Sequence, residues 1–383
     1  MKAAIKMEKS MSIADTFQQL NEQFANRAAN YDDQGCFVQE NYQDLKAHKL
    51  FSVAVPNALG GAGYGYSQLA DAITTMAKAC GSTALAYAMH SHPLLLNVYK
   101  YSQMGDAKAE ATLRKIAEGE LIIAGTGAND WLQSNGTAVP EDNGYRINAH
   151  KRFVSGGPGA QVFVTSAIVR NAEGDQVIHF SIPFSTPGIT IQNNWNTLGM
   201  RGTGSNDVIM KDAFVPDAAI VAKRPAGQWH PMWDMIIPIA MPIIVSCYLG
   251  LAERAVQIAT DANRGREDKA EEVGELKNQL QTARLARDAM VAQSRELQFT
   301  PSLANTDNVF MNKSVATKAI HASVNAAANL VGGAGFFKGN DIERIMRDVR
   351  ALHFHPLPEA TQRRVTGRLA LGMDPFSVVP GPI

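Results

Sequence analysis

Residues 332–372, GGAGFFKGNDIERIMRDVRALHFHPLPEATQRRVTGRLALG, decide how the rest of the chain is read. Gly332 and Gly333 close an apolar helix, where glycine permits a positive φ or a close approach of backbone to a ligand. A short helix follows, carrying Arg347 and Asp348. A loop then holds His353, His355, Pro356 and Pro358, and a last helix carries Arg363, Arg364 and Arg368. The prolines forbid one continuous helix and keep the two histidines on a shaped loop.

Working back from that stretch, the helical period dominates. Ala316, Ile320, Val324, Ala327 and Val331 form one apolar stripe. Leu276, Leu280, Ala283, Ala286 and Met290 form another, and Leu249, Ala252, Val256 and Ala259 a third. With the last helix they predict a four-helix bundle whose alanine-rich faces suit burial against another subunit. The longest apolar run, Met235 to Cys247, is broken by Pro238 and Pro242, is too short to span a bilayer, and reads as the buried entry to a helix.

Between Leu121 and about Pro216 the texture changes. Tyr145, Ile147 and Ala149 alternate, as do Ile178, Phe180 and Ile182. Val162 to Val169 is a β-rich apolar run, and Gly, Asn and Asp punctuate at short intervals. This predicts an antiparallel β-domain. Before it, Ile13, Phe17, Leu20 and Phe24, then Leu69, Ile73, Met76 and Cys80, recur at helical spacing. The expected architecture is therefore multi-domain α and β. A helical N-terminal domain (1–120) precedes an antiparallel β middle domain (121–225) and a C-terminal four-helix bundle domain (226–383). The glycine-rich loop at 55–68, VPNALGGAGYGYSQ, lacks the strand–helix context of a dinucleotide fingerprint.

Composition bounds the function. The chain has 383 residues, 45% hydrophobic and 19% charged, with zero formal net charge. That describes a folded enzyme and offers nothing to nucleic acid. Cys36, Cys80 and Cys247 have no metal or disulfide spacing, which points to a reducing, cytoplasmic setting. The N-terminus shows no secretory pattern, and neither a metal nor a membrane is expected.

The C-terminal stretch resembles the signature of the acyl-CoA dehydrogenase superfamily, in which a GG-x-G turn, an R-D pair and a following loop shape a flavin site. The resemblance runs over nearly the whole chain. NTLGMRGTGSNDVIMKDAFVPD (196–217) is similar to the family's L-G-x-R-x-T-x-S-x-x-V-x-F-x-D-V-x-V-P. KRFVSGG (151–157) resembles K-x-W-I-T-N-G, which implies Phe153 and Val154 against the flavin and Ser155 where a threonine hydroxyl meets the reactive flavin nitrogen. IIAGTGANDW (122–131) resembles the strand-end motif T-E-P-x-x-G-S-D, with Thr126 and Asn129 the nearest matches and the Glu-Pro and serine absent. Arg266 is spaced from Gly250 like the family's arginine that binds the pyrophosphate of a neighbouring subunit's flavin, though the Phe-Gly expected after it is missing. Asn329, ahead of Gly332 and Gly333, stands where the family has a glutamine. The resemblance implies FAD and a homotetramer. His90 and His92 in MHSHPLLLN, together with Arg201, are candidate substrate contacts, although satisfied core or helix-end histidines are the commoner reading of the first two.

The resemblance implies an FAD-dependent oxidoreductase acting on the CH–CH group of an acyl-CoA or related acyl substrate and passing electrons to a soluble acceptor. That chemistry needs a carboxylate base. The usual position, counted from Arg347, is Pro356; the family's alternative, counted back from Gly250, is Ala240. Glu359 is the nearest carboxylate and would need a rearranged loop. His353 and His355, with Ser155, Asn129 and His92, suit a different reaction on the same fold. That is a two-component monooxygenase using reduced FMN or FAD delivered as co-substrate by a flavin reductase. A non-catalytic flavin- or nucleotide-binding protein is the third reading left open.

Overall fold

A computed structural model describes residues 12–126 and 133–376. The chain opens with five helices: α1 (Ile13–Gln34), α2 (Gln39–Ala47), α3 (Tyr66–Ala79), α4 (Gly81–Met104) and α5 (Ala107–Gly119). Ser12 caps α1 by accepting from the Asp15 N–H, and Asp106 does the same for α5, satisfying donors that a helix start leaves open. Phe17, Leu20 and Phe24 of α1 and Leu69, Ile73 and Met76 of α3 are all buried, so the predicted stripes are the core-facing ones.

Eight strands follow among the described residues: β1 (Ile123–Gly125), β2 (Thr137–Glu141), β3 (Gly144–Lys151), β4 (Val162–Val169), β5 (Gln176–Pro183), β6 (Ile189–Ile191), β7 (Val208–Pro216) and β8 (Ile220–Pro225). They form one sheet in the order β6-β7-β3-β2-β4-β5-β8, with β1 added beside β4. Most pairs are antiparallel, as expected, but β1 and β2 both run parallel to β4. A single-sequence pattern does not report that, since strand direction depends on how the chain returns. The β3–β7 pair places Lys151 opposite Val208. Whatever follows β3 must therefore lie beside whatever precedes β7.

The remaining helices are α6 (Met232–Ala262), α7 (Ala270–Gln293), α8 (Leu303–Val331), α9 (Asp341–Asp348) and α10 (Glu359–Ala370). The three predicted stripes on α6, α7 and α8 are buried but for Val331. The helix α6 is apolar on every side, which in a folded chain demands neighbours all round; it packs against α3, α4, α7 and α8. By length and composition it could cross a membrane, yet 89% of its apolar window is buried inside the protein.

The proline-broken run is, as expected, the mostly buried entry to a helix: Pro238 and Pro242 both lie inside α6. Pro242 has no N–H, so the carbonyl of Pro238, four residues earlier, loses its helical donor. The Tyr66 hydroxyl from α3 reaches this spot, 2.8 Å from the Ile239 carbonyl and 3.4 Å from that of Pro238. A neighbouring helix thus brings a donor to the carbonyls beside the proline, nearer to Ile239 than to Pro238. Replacing Tyr66 with Phe is expected to cost about 1–3 kcal/mol, the penalty for a buried acceptor left unpaired, as read from urea denaturation with helix content unchanged.

Candidate active site

The register of β3 and β7 builds the site. The turn after β3 (residues 152–157) docks on the loop before β7 (residues 200–206): the Val154 N–H donates to the Asn206 carbonyl at 3.1 Å and the Gly156 N–H to the Thr203 carbonyl at 2.9 Å. Oδ1 of Asn206 accepts from the N–H groups of Asn194 and Trp195, which brings in a third strip of chain. Phe153 takes a positive φ of 59°, unusual for a bulky residue. That conformation leaves its ring 47% exposed and edge-on to Trp195. Gly156 also has a positive φ, and a Cβ there would sit 2.7 Å from the Tyr42 hydroxyl. The Tyr42 hydroxyl is buried with no hydrogen-bond partner among the described residues. Inside the turn, the hydroxyls of Ser155 and Ser205 are 2.8 Å apart and those of Ser205 and Thr203 2.7 Å.

The helical bundle closes on the same loop. The Asp348 carboxylate accepts from the Met200 N–H, and burial pushes its pKa up to about 6 although that donor opposes the shift. Gly199 is in such close contact that a Cβ would lie 2.4 Å from the Arg347 carbonyl. Arg347 forms a two-point ion pair with Asp32 of α1 at 3.0 and 2.6 Å and also donates to the Leu198 carbonyl.

The histidine loop has its own supports. Nε2 of His355 is 2.7 Å from the Tyr248 hydroxyl of α6, and burial lowers its pKa to about 3, so it is neutral at pH 7. His353 stacks on His321 of α8 with centroids 4.1 Å apart. The fully buried Lys313 donates to the Leu357 carbonyl at 3.1 Å, and burial brings its pKa down to about 8. Glu359 is engaged elsewhere: Ser314 donates to both of its oxygens at 3.1–3.2 Å, and Arg363 lies 3.6 Å away. Pro356 and Ala240 are both buried, so neither family position offers a carboxylate.

One sequence-based assignment to substrate needs correcting. His90 is buried; its Nδ1 accepts from the Ile123 N–H at 3.0 Å, so Nε2 carries the proton and donates to the Phe51 carbonyl at 2.8 Å. Both nitrogens are spent tying α4 to β1 and the N-terminal helices, and no atom remains for a ligand. Arg201 donates to the carbonyls of Asp32 and Thr197 and keeps further guanidinium N–H groups beyond those two bonds. His92, its neighbour in the sequence motif, differs: it is half-buried with no hydrogen-bond partner among the described residues, and burial lowers its pKa to about 4.

The other candidates fall as follows. Thr126 is half-buried at the end of β1, its hydroxyl 3.5 Å from that of Thr165. Asn129 lies outside the described residues. Val154 is buried, and Ser155 is half-buried. Arg266 is exposed and pairs with Asp268 at 2.6 Å, and Asn329, Gly332 and Gly333 are exposed at the end of α8, with Gly332 at φ +70°. Sequence reading missed Thr203, Ser205, Trp195, Tyr248 and Lys313. For Thr203 and Ser205 the signal was present, two hydroxyls spaced by one residue in a recognised motif; for Tyr248 and Lys313 nothing local marks them.

A helix–sheet–helix chain with a hydroxyl-bearing strand end beside an exposed aromatic ring, and a neutral histidine in its helical bundle, has the make-up of a flavin-dependent oxidoreductase. The chain belongs to the acyl-CoA dehydrogenase family: that family's N-terminal domain is matched over residues 7–120, its middle domain over 124–213 and its C-terminal domain over 243–358. Among curated proteins it is 24% identical over 363 residues to a probable acyl-CoA dehydrogenase of Bacillus subtilis, spanning 91% of this chain and 94% of that one. It is 28% identical over 373 residues to the L-evernosamine nitrososynthase of a Micromonospora species, spanning 91% and 87%. Among solved structures, KijD3 in complex with FMN and a dTDP-amino-keto sugar superposes with a TM-score of 0.86, at 24% identity and 97% coverage of both chains.

The raised pKa of Asp348 sets a testable pH dependence. A folded-state pKa above the unfolded value adds stability that is complete below the unfolded pKa, near 3.8, and is lost as pH rises through about 6. Asp348→Asn keeps an oxygen for the Met200 N–H and removes the titration. The stability of wild type minus that of the variant is expected to fall as pH goes from 4 to 6, as read from denaturation midpoints across that range.

Proposed function

We propose that this flavoenzyme is a two-component monooxygenase that accepts reduced FMN or FAD from a separate reductase and oxygenates a small molecule. The observation that carries this reading is the pair of vacated base positions, Pro356 and Ala240, with Glu359 bound to Ser314. Removing a proton next to a thioester needs a carboxylate held against it; among the described residues none stands at either family position. The nitrososynthase relative supports the same direction. Bound reduced flavin supplies two electrons to O2, so that one oxygen atom enters the substrate and the other leaves as water.

The residues present fit a flavin. Phe153 offers an exposed ring edge-on to Trp195, Ser155 a hydroxyl at the strand end, and Tyr42 a buried hydroxyl lacking a partner beside Gly156. Ser155, Val154, Phe153 and Thr126 would hold the ring system, Ser155 at the reactive nitrogen. Arg266, Asn329, Gly332 and Gly333 would meet the flavin of an adjacent subunit. His355, kept neutral by burial and fixed by Tyr248, would offer the site a hydrogen-bonding group without bringing charge into it. His92 has both ring nitrogens without a partner among the described residues.

Mixing the protein with reduced flavin and oxygen tests this. Oxygen uptake with incorporation of one labelled atom into an amine or sulfide panel is expected, and acyl-CoAs leave bound oxidised flavin unbleached under anaerobic conditions. His355→Ala is expected to lower product formation by about a hundredfold while hydrogen peroxide release rises. Bleaching by an acyl-CoA would overturn the reading in favour of the dehydrogenase.

The same reading includes a cytoplasmic homotetramer. Cys36, Cys80 and Cys247 are all free thiols, as a reducing compartment leaves them. Phe336 is 89% exposed and Phe337 70%, apolar area that a soluble chain ordinarily covers. The double variant Phe336→Ser, Phe337→Ser is expected to show a smaller assembly than wild type by light scattering, with unchanged helix content.

A further inference from the structure

The hydroxyl chain at the strand end has a direction. Oγ1 of Thr203 lies 2.9 Å from the Met200 carbonyl. A carbonyl only accepts, and two oxygens that close without a proton between them repel, so the single hydroxyl proton of Thr203 is spent there. Ser205 Oγ, 2.7 Å from Thr203 Oγ1, must then donate to it. Ser155 Oγ, 2.8 Å from Ser205 Oγ, must in turn donate to Ser205. Thr203 and Ser205 are buried, at 0% and 4% exposure, which keeps water from reversing the order. The same carbonyl also accepts from Trp195 Nε1 at 2.9 Å and from the Thr203 N–H at 3.2 Å, and as a pure acceptor it has no proton to return to the Thr203 hydroxyl. Half-buried Ser155 is the open end of the chain, and it presents lone pairs, not a proton.

We infer that the Thr203–Ser205 relay makes Ser155 an obligate acceptor and thereby selects reduced flavin over oxidised flavin. The inference rests on the proposed placement of Ser155 at the reactive flavin nitrogen. That nitrogen bears a lone pair in the oxidised ring and an N–H in the reduced ring. An acceptor pairs with the second and opposes the first. Thr203 and Ser205 are positioning residues: they touch no flavin and act through the proton of Ser155. For an enzyme that receives its flavin reduced and must release it oxidised, the same polarity favours loading and discharge.

Equilibrium binding of oxidised and of reduced FMN and FAD to the full-length protein, the reduced forms under anaerobic conditions, tests this without turnover. Wild type is expected to bind the reduced form tighter by about tenfold or more, one hydrogen bond gained against one lone-pair clash. In Ser205→Ala, Ser155 loses its acceptor and can turn its proton outward. The preference is expected to shrink by about tenfold, mostly through tighter binding of oxidised flavin. Thr203→Val, close in shape, repeats the test by releasing the Ser205 proton, and circular dichroism on both variants confirms folding. An unchanged preference in both folded variants overturns the relay. If Ser155→Ala alters neither affinity, the placement of Ser155 fails and the relay with it. Oxygen incorporation measured beside these data judges the monooxygenase reading separately.

Discussion

Two adjacent side chains, Arg347 and Asp348, gather three otherwise separate segments at one point. The guanidinium grips Asp32 of α1 with two nitrogens and reaches the Leu198 carbonyl, and the carboxylate takes the Met200 N–H. Taking such charges out of water costs several kcal/mol per ion, and only good geometry with every donor used offsets it. The two-point fork of arginine meets that requirement where a lysine would not. Gly199 completes the junction, because nothing larger than hydrogen fits against the Arg347 carbonyl.

The junction matters because the loop it holds, residues 198–206, is the platform for the turn at 152–157. The β3–β7 register brings the two together, and the Arg347–Asp348 pair fixes the platform against the bundle. The histidine loop follows directly after that pair in the chain, so one anchoring point positions both the hydroxyl-bearing face and the His355-bearing face. Lys313 and Tyr248 then set the loop's shape from α8 and α6. The arrangement of these hydrogen-bonding groups depends on distances held by buried polar contacts.

Much of this was legible in one dimension. The apolar periods of α1, α3, α6, α7 and α8 marked the faces that are buried, and alternation marked β3 and β5. The motifs at 151–157 and 196–217 were each recognisable, as was the empty base position at Pro356. Where sequence reading went astray, a distant residue supplied what the local pattern lacked. Pro238 and Pro242 broke the apolar run on paper, yet both sit inside α6, where the Tyr66 hydroxyl arrives from 173 residues away to bond at Ile239. His90 and His92 looked equivalent in MHSH, yet only His90 has backbone partners, 33 and 39 residues away.

Periodicity and motif spacing thus determined the layer order, the core faces and the residue types available for chemistry, because each of these depends on neighbours within a turn of helix or along one strand. The tertiary structure alone decided which polar atoms remain free to act. Ser155 meets Ser205 across 50 residues, His355 meets Tyr248 across 107, and Asp348 meets Met200 across 148. A hydrogen bond has a direction and a short reach, so its polarity exists only once the chain has brought both partners together.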